Sequence, residues 1–333
     1  MSVDVKGRFV WHELMTRDVA AAKQFYSQLL GWKPQAWPND PIYTVNHSAE
    51  GPQSGFFPIP GEMPAEMPAH WVTYIGTRDV DGTAAAAVRA GGSIINGPAD
   101  IKGAGRYAVL RDPQGATFAI LDPENSRADP VGMPPVGSFS WHELATTDNE
   151  AAFTFYSELF GWEALFRHDM GMIGTYLIFG NGEIQRGGMF IKPAAQPGPA
   201  CWLPYVSVAN ADSSFAVAQT AGGKALLPPM TVPGGTRIAQ VMDPTGAAIA
   251  LHSAGESQMA PAATAPTAKP KAKAKAKPKA KKTVKVAKPA AKKPVKRKAA
   301  KKKAAVKKKS APMKKVPARK KAKAKKKVVR RKK

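Results

Sequence analysis

Phe9-Val10-Trp11-His12-Glu13-Leu14 recurs as Phe139-Ser140-Trp141-His142-Glu143-Leu144, and the next landmarks keep the same spacing: Phe25-Tyr26 and Gly31-Trp32 return as Phe155-Tyr156 and Gly161-Trp162. The offset is 130 throughout this set. A second set returns at 131, with Trp71 and Trp202, Tyr74 and Tyr205, Ala90-Gly91-Gly92 and Ala221-Gly222-Gly223, Arg106 and Arg237, and Asp112-Pro113 and Asp243-Pro244. Self-similarity at a fixed period sets the architecture before any element is assigned. The body is therefore a duplication, with copies over 7–123 and 137–254 and a Pro/Gly-rich linker over 124–136.

Each copy halves again. Residues 8–16 alternate as a strand does, Asp18 can cap a helix whose Ala21, Phe25 and Leu29 recur every three to four residues, and Gly31 ends it. Strands are expected at about 41–46, 53–59 and 70–77, then a helix over 79–90 and strands at 93–101, 105–111 and 115–121. The pattern gives an α+β fold, a pair of βαβββ modules per copy. Helices cover one face of a cup-shaped antiparallel sheet and the concave face suits a small molecule.

The charge is unevenly placed. Of 50 Lys+Arg and 24 Asp+Glu in 333 residues, the stretch Met259 to Lys333 holds 34 basic residues, eight prolines, no acid and no aromatic. Residues 1–258 carry all 27 aromatics and a net charge of −8. The tail over 259–333 buries too little apolar surface to offset its ordering entropy, so it reads as disordered. Dense lysine neutralises phosphates and releases counterions; without aromatics it neither stacks on bases nor reads their edges. A sequence-nonspecific nucleic-acid partner is expected, contacted through Lys271, Lys273, Lys281, Lys282, Lys301, Lys302, Lys303, Lys307, Lys308, Lys309, Arg330 and Arg331. The tail resembles those of linker histones and some bacterial nucleoid proteins, which implies DNA rather than RNA. No run of about 18 apolar residues and no apolar leader is present, so no membrane partner and a cytoplasmic, nucleoid-associated location are expected. The single Cys201 excludes an internal disulfide framework and a Cys-cluster zinc site.

The first strand, Asp18, Phe25-Tyr26, Leu30-Gly31-Trp32 and Asp112-Pro113-Gln114-Gly115 together resemble the vicinal oxygen chelate superfamily, which includes glyoxalases, extradiol dioxygenases and bleomycin-resistance proteins. With Trp-x-Glu-Leu in both copies, the chain is similar more narrowly to two-domain glyoxalase-related proteins labelled hydroxylases or mycobacterial antigens. The resemblance covers about 7–254 and implies a divalent ion in each cup. Its ligands would stand seven residues before the Asp that opens each helix and seven after the Asp of the Asp-Pro turn. Those positions hold Trp11, Val72, Trp141, Leu203, Ala119 and Ala250, none of which can ligate, so neither metal nor other cofactor is expected.

Glu13 and Glu143 are the candidate catalytic groups, each beside a tryptophan on the cup wall, where desolvation raises a carboxyl toward the range useful for a general base. Tyr74 and Tyr205 fall on the matching strand and could complete a Glu–Tyr pair that binds or deprotonates a hydroxyl or carbonyl compound. The alternative is a buried Glu satisfied by a phenol to hold strands in register. Trp11 and Trp141, with Met15, Phe57 and Phe190, would supply flat walls. Arg106 and Arg237 could pair with those carboxylates, with an anionic ligand, or with the Asp of the Asp-Pro turn. Strand alternation places His12 on the helix face with Val10 and Leu14, as a hydrogen-bonded core residue. Three functions stay open: a lyase- or hydroxylase-like enzyme, a module that sequesters an aromatic or cationic small molecule, and a nucleoid protein with a non-catalytic body.

Overall fold

A computed structural model describes residues 4–126, 128–129, 132–171, 174–194 and 198–255. The first copy runs β1 (Phe9–Thr16), α1 (Val19–Leu30), β2 (Lys33–Trp37), β3 (Asp40–Ser48), β4 (Gly51–Pro58), β5 (His70–Gly76), α2 (Val80–Arg89), β6 (Ser93–Ile101), β7 (Gly105–Arg111) and β8 (Thr117–Pro123). The second repeats it as β9 (Phe139–Thr146), α3 (Asn149–Phe160), β10 (Glu163–Asp169), β11 (Thr175–Asn181), β12 (Ile184–Ile191), β13 (Cys201–Ser207), α4 (Ala211–Thr220), β14 (Lys224–Thr231), β15 (Arg237–Met242) and β16 (Ala248–Ser253). The sheets read β2-β3-β4-β1-β5-β8-β7-β6 and β10-β11-β12-β9-β13-β16-β15-β14.

The helices begin and end where their sequences require. Asp18 accepts from the Ala21 amide at 2.9 Å, and Gly31, at φ 67°, takes the left-handed cap conformation that a side chain would resist. Asp148 and Gly161 do the same for α3. Between them α1 buries Ala22, Phe25, Tyr26, Leu29 and Leu30, one stripe at helical spacing.

The sheets are mixed rather than wholly antiparallel. The α1 crossover makes β2 run with β1, and two hairpin reversals return β4 to that direction, so β4 pairs parallel to β1; β8 pairs parallel to β5 for the same reason. Strand β2 falls outside the expected elements: Lys33–Trp37 contains Pro34 and sits on the sheet edge, where a missing amide is tolerated.

The two copies share their cores. Leu14, Phe25, Tyr26 and Trp32 of the first copy form one cluster with Val206, Ala239, Val241 and Ile249 of the second. Ile75, Leu110, Phe118 and Ile120 likewise join Phe155, Tyr156, Phe160 and Trp162. Each first module thus packs against the other copy's second module, at about 1.5–3 kcal/mol for each large apolar side chain buried. The motif residues make the connecting bonds: Tyr26 Oη donates to Asp243 Oδ2 at 2.9 Å and Tyr156 Oη to Asp112 Oδ2 at 3.0 Å. Trp32 Nε1 donates to the Gly137 carbonyl at 2.8 Å and Trp162 Nε1 to that of Gly7 at 2.7 Å. Asp129 in the linker binds Arg8 Nε at 2.9 Å and Arg186 Nη1 at 2.7 Å, one residue from each copy.

Candidate functional site

With the helix side of each sheet buried between copies, the opposite face is left to the cup. In β1, His12 and Leu14 are buried toward the other copy while Trp11, Glu13 and Met15 face the cup. Val10 departs from the expected alternation: the register shifts between Phe9 and Trp11, and this bulge turns Val10 into the cup beside Trp11. Val72 and Tyr74 from β5, Tyr107 and Val109 from β7, and Ala119 and Leu121 from β8 complete that wall.

Glu13 is the focus of the first cup. Tyr74 Oη donates to Glu13 Oε1 at 3.3 Å, and a second phenol, Tyr43 from β3, also donates to this carboxylate. Trp11 Nε1 donates to Tyr43 Oη at 2.8 Å, which leaves the phenol's own proton for the glutamate. The second cup repeats the arrangement. Tyr176 Oη donates to Glu143 Oε2 at 3.0 Å and accepts from Trp141 Nε1 at 3.1 Å, and Tyr205 donates to the same carboxylate while accepting from Gln240 Nε2 at 3.3 Å. Bare backbone lies beneath the β3 and β11 phenols. A Cβ on Gly55 would stand 1.7 Å from Tyr43 Oη, and one on Gly188 would stand 2.2 Å from Tyr176 Oη.

Comparison of the two copies in sequence misses Tyr43 and Tyr176 because their separation is 133, as is that of Gly55 and Gly188. Residues added in this hairpin and removed before β5 hide the pairing at offsets of 130 and 131. Phe57 and Phe190, also 133 apart, carry the signal that would have found them.

Burial pushes the carboxyls of Glu13 and Glu143 above the ordinary glutamate range, although two phenols each pull them back down. Burial, and then the neighbouring carboxylate, holds Tyr43, Tyr74, Tyr176 and Tyr205 well above the usual phenol range. At neutral pH the phenols are therefore donors to the carboxylate.

The inherited metal positions do not fit a cation. Val72 and Ala119 are buried in one apolar cluster against Trp11, and Leu203 and Ala250 take the matching places. Each cup brings one carboxylate and two protonated phenols to its wall, and no group of three His, Cys, Asp or Glu residues with metal-site geometry occurs among the described residues.

Arg106 and Arg237 stand elsewhere, which corrects the expectation that they face the cup or the Asp-Pro turn. Arg106 has the parity of Ala108 and Leu110, on the helix side of β7, and its Nε meets Asp81 Oδ2 at 2.6 Å and its Nη1 Asp100 Oδ1 at 3.0 Å. Arg237 likewise reaches Asp212 of α4 and Thr231. Open depressions of about 520 and 530 Å³ also lie outside the cups, along α2 at Arg78 and Arg89 and around Arg106. His12 and His142 bond to each other between the copies. The tail residues from Lys271 to Arg331 lie outside the described residues. Among the described residues, no helix is long and apolar enough to cross a membrane.

A model of the Glyoxalase/Bleomycin resistance protein/Dioxygenase superfamily matches residues 8–120 and again 138–251. The chain is 31% identical over 249 residues to a protein named putative glyoxylase CFP32 from Mycobacterium tuberculosis, covering 71% of this chain and 91% of that relative. It is also 31% identical over 264 residues to anthracycline biosynthesis protein DnrV from Streptomyces peucetius, covering 74% and 92%. Among solved structures, the Mn(II)-bound glyoxalase from Novosphingobium aromaticivorans matches with a TM-score of 0.52 at 17% identity, over 76% of this chain and 83% of that one. The 2,3-dioxygenase LapB from Pseudomonas sp. KL28 matches at 0.55 and 9%, over 76% and 94%. At these identities the structural likenesses bear on fold alone.

Proposed function

Because this chain belongs to the glyoxalase, bleomycin resistance protein and dioxygenase superfamily, we propose that its two cups bind a polycyclic aromatic hydroxy or carbonyl compound without a metal, with Glu13 and Glu143 as bases. One observation carries this reading: a carboxyl raised by burial, framed by two neutral phenols and a tryptophan, built twice from the same positions. A carbon acid next to a carbonyl, or a phenol, would give its proton to the glutamate, and the tyrosine hydroxyls, released from the neutralised carboxyl, would turn their single protons to the oxygen that gains charge. The relatives named for anthracycline biosynthesis support a polycyclic quinone as the ligand class.

The apolar wall of Val10, Val72, Val109, Ala119 and Leu121 around Glu13 favours a second reading, in which a cup sequesters its ligand without turning it over. In either case the basic tail would tether the body to DNA without reading sequence, in the cytoplasm at the nucleoid. The test is calorimetric titration of the full chain with anthraflavic acid, a polycyclic quinone with a free phenolic hydroxyl at each end, followed by Glu13→Gln and Glu143→Gln. Binding by the parent with the red-shifted absorption of a ligand phenolate, formed as the proton passes to the glutamate without net uptake from solvent, supports the base when both substitutions remove that band. Binding that the substitutions leave intact, with the absorption of the neutral phenol throughout, favours sequestration.

A further inference from the structure

The two cups are duplicates, yet three wall positions have changed character together. Val10, Val109 and Leu121 belong to the apolar cluster of the first cup. Their counterparts are Ser140, Gln240 and His252, the first on the equivalent bulge, where Phe139 pairs with Val206 and Trp141 with Tyr205. His252 shares the cup face of β16 with Ala250, while Ile249 and Leu251 face the core. Its ring meets that of Tyr205 edge to face at 6.4 Å between centroids.

The hydrogen bonds fix the protonation of this imidazole. Ser140 Oγ lies 3.4 Å from the Tyr205 carbonyl and 3.1 Å from His252 Nδ1. A carbonyl cannot donate, so the serine's single proton goes to it, and both contacts are satisfied together only if Nδ1–H donates to Ser140 Oγ. Burial holds the ring neutral at physiological pH. Nε2 is then a bare lone pair, and the His252 ring makes no other hydrogen bond among the described residues. At the same position the first cup offers a Leu121 side chain, which accepts nothing.

We propose that His252 Nε2 is the acceptor for a phenolic hydroxyl of the ligand, so that the second cup selects a hydroxylated aromatic ring more strongly than the first, which offers its glutamate without this imidazole. Ser140 is the positioning residue that holds the tautomer. This rests on the reading of the cups as small-molecule sites and adds to it which cup selects and by what chemistry.

The full chain is titrated with anthraflavic acid and with its dimethyl ether, which keeps the rings and loses the donor protons. Both sites prefer the free phenol through their glutamates, and one site per chain should do so by about a further tenfold, the worth of one hydrogen bond to a buried partner. His252→Leu, which installs the residue of the other copy, should remove the difference between the sites, and Val10→Ser/Leu121→His, which installs the imidazole with the serine that fixes its tautomer, should raise affinity for the phenol at the other. A difference that is absent from the parent or survives His252→Leu overturns the assignment. If His252→Leu loses its thermal transition, Val10→Ser/Leu121→His decides alone, an unchanged phenol affinity overturning the proposal. A parent chain that binds neither compound overturns the reading of the cups themselves, and this proposal with it.

Discussion

His12 Nε2 and His142 Nε2 lie 2.7 Å apart at the junction of the two copies, each imidazole stacked on a phenylalanine of the opposite copy, Phe139 and Phe9, at 3.5 Å. His142 Nδ1 lies 3.2 Å from the Arg186 carbonyl and must donate to it, so His142 Nε2 accepts and His12 Nε2–H donates. One added proton can still be shared between the facing Nε2 atoms, but at the cost of a buried charge, and a second leaves two N–H donors face to face.

Acid should therefore weaken the junction. Burial lowers the pKa of His12 and brings that of His142 down to about 3. A histidine whose folded pKa lies below its unfolded value contributes stability above the unfolded value and loses it as pH falls. From about pH 6.5 toward 3, each unit should remove up to about 1.4 kcal/mol per histidine. Glu13, Glu143 and Asp112, held up by burial, act in the opposite sense, so the comparison that isolates the pair is with the double variant His12→Leu/His142→Leu. Urea midpoints between pH 7 and 4 should fall more steeply in the parent; parallel curves refute the assignment.

The tyrosines of the Phe-Tyr motif give a paired stability prediction. Tyr26→Phe keeps the ring but leaves Asp243 and the Trp71 indole, 3.1 Å from the phenol, short of a partner. A loss of about 1–3 kcal/mol is expected, the cost of an unsatisfied buried polar group. Tyr156→Phe should cost more. Asp243 keeps the Thr245 hydroxyl at 2.7 Å, whereas Asp112 has Gln114 in that place and only its amide contacts besides Tyr156. Equal losses in chemical denaturation would contradict this ordering.

The duplication, the helix caps and the inward Glu and Tyr of β1 and β5 are legible in sequence because each leaves a local or periodic trace. The partners of the motif residues are not. Self-comparison aligns Tyr26 with Tyr156 but cannot report that each binds the aspartate turn of the opposite copy, since that contact depends on how the copies pack. The face of Arg106 escapes sequence reading because it is set by the parity of Ala108 and Leu110, which only the assembled sheet reveals. The Val10 bulge defeats simple alternation in the same way.

Tyr43→Phe should move Glu13 in a direction that can be read directly. The phenol's hydrogen bond favours the charged carboxylate, so its removal should lift the Glu13 carboxyl further, with protonation seen at higher pH in infrared difference spectra. Gly55→Ala should produce the same upward shift by displacing Tyr43, at a cost of about 1–3 kcal/mol from overpacking. A downward shift in either variant would mean that Tyr43 does not support the charged form.

The tail can be tested through salt. With 34 basic residues and no acid beyond Met259, against a body of net charge −8, DNA affinity should come from the tail alone. Neutralising several phosphates releases a comparable number of counterions, so log affinity should fall linearly with log salt, losing about 10³–10⁵ between 50 and 200 mM if six to ten phosphates are engaged. A chain ending at Gln258 keeps both shared cores and should show neither affinity nor slope, because like charge repels it from the duplex. Scrambling the DNA sequence should change nothing, since lysines on phosphates carry no base information. Retention by the shortened chain, or a salt-insensitive constant in the full one, would place the DNA contact on the body and remove the tether from the account.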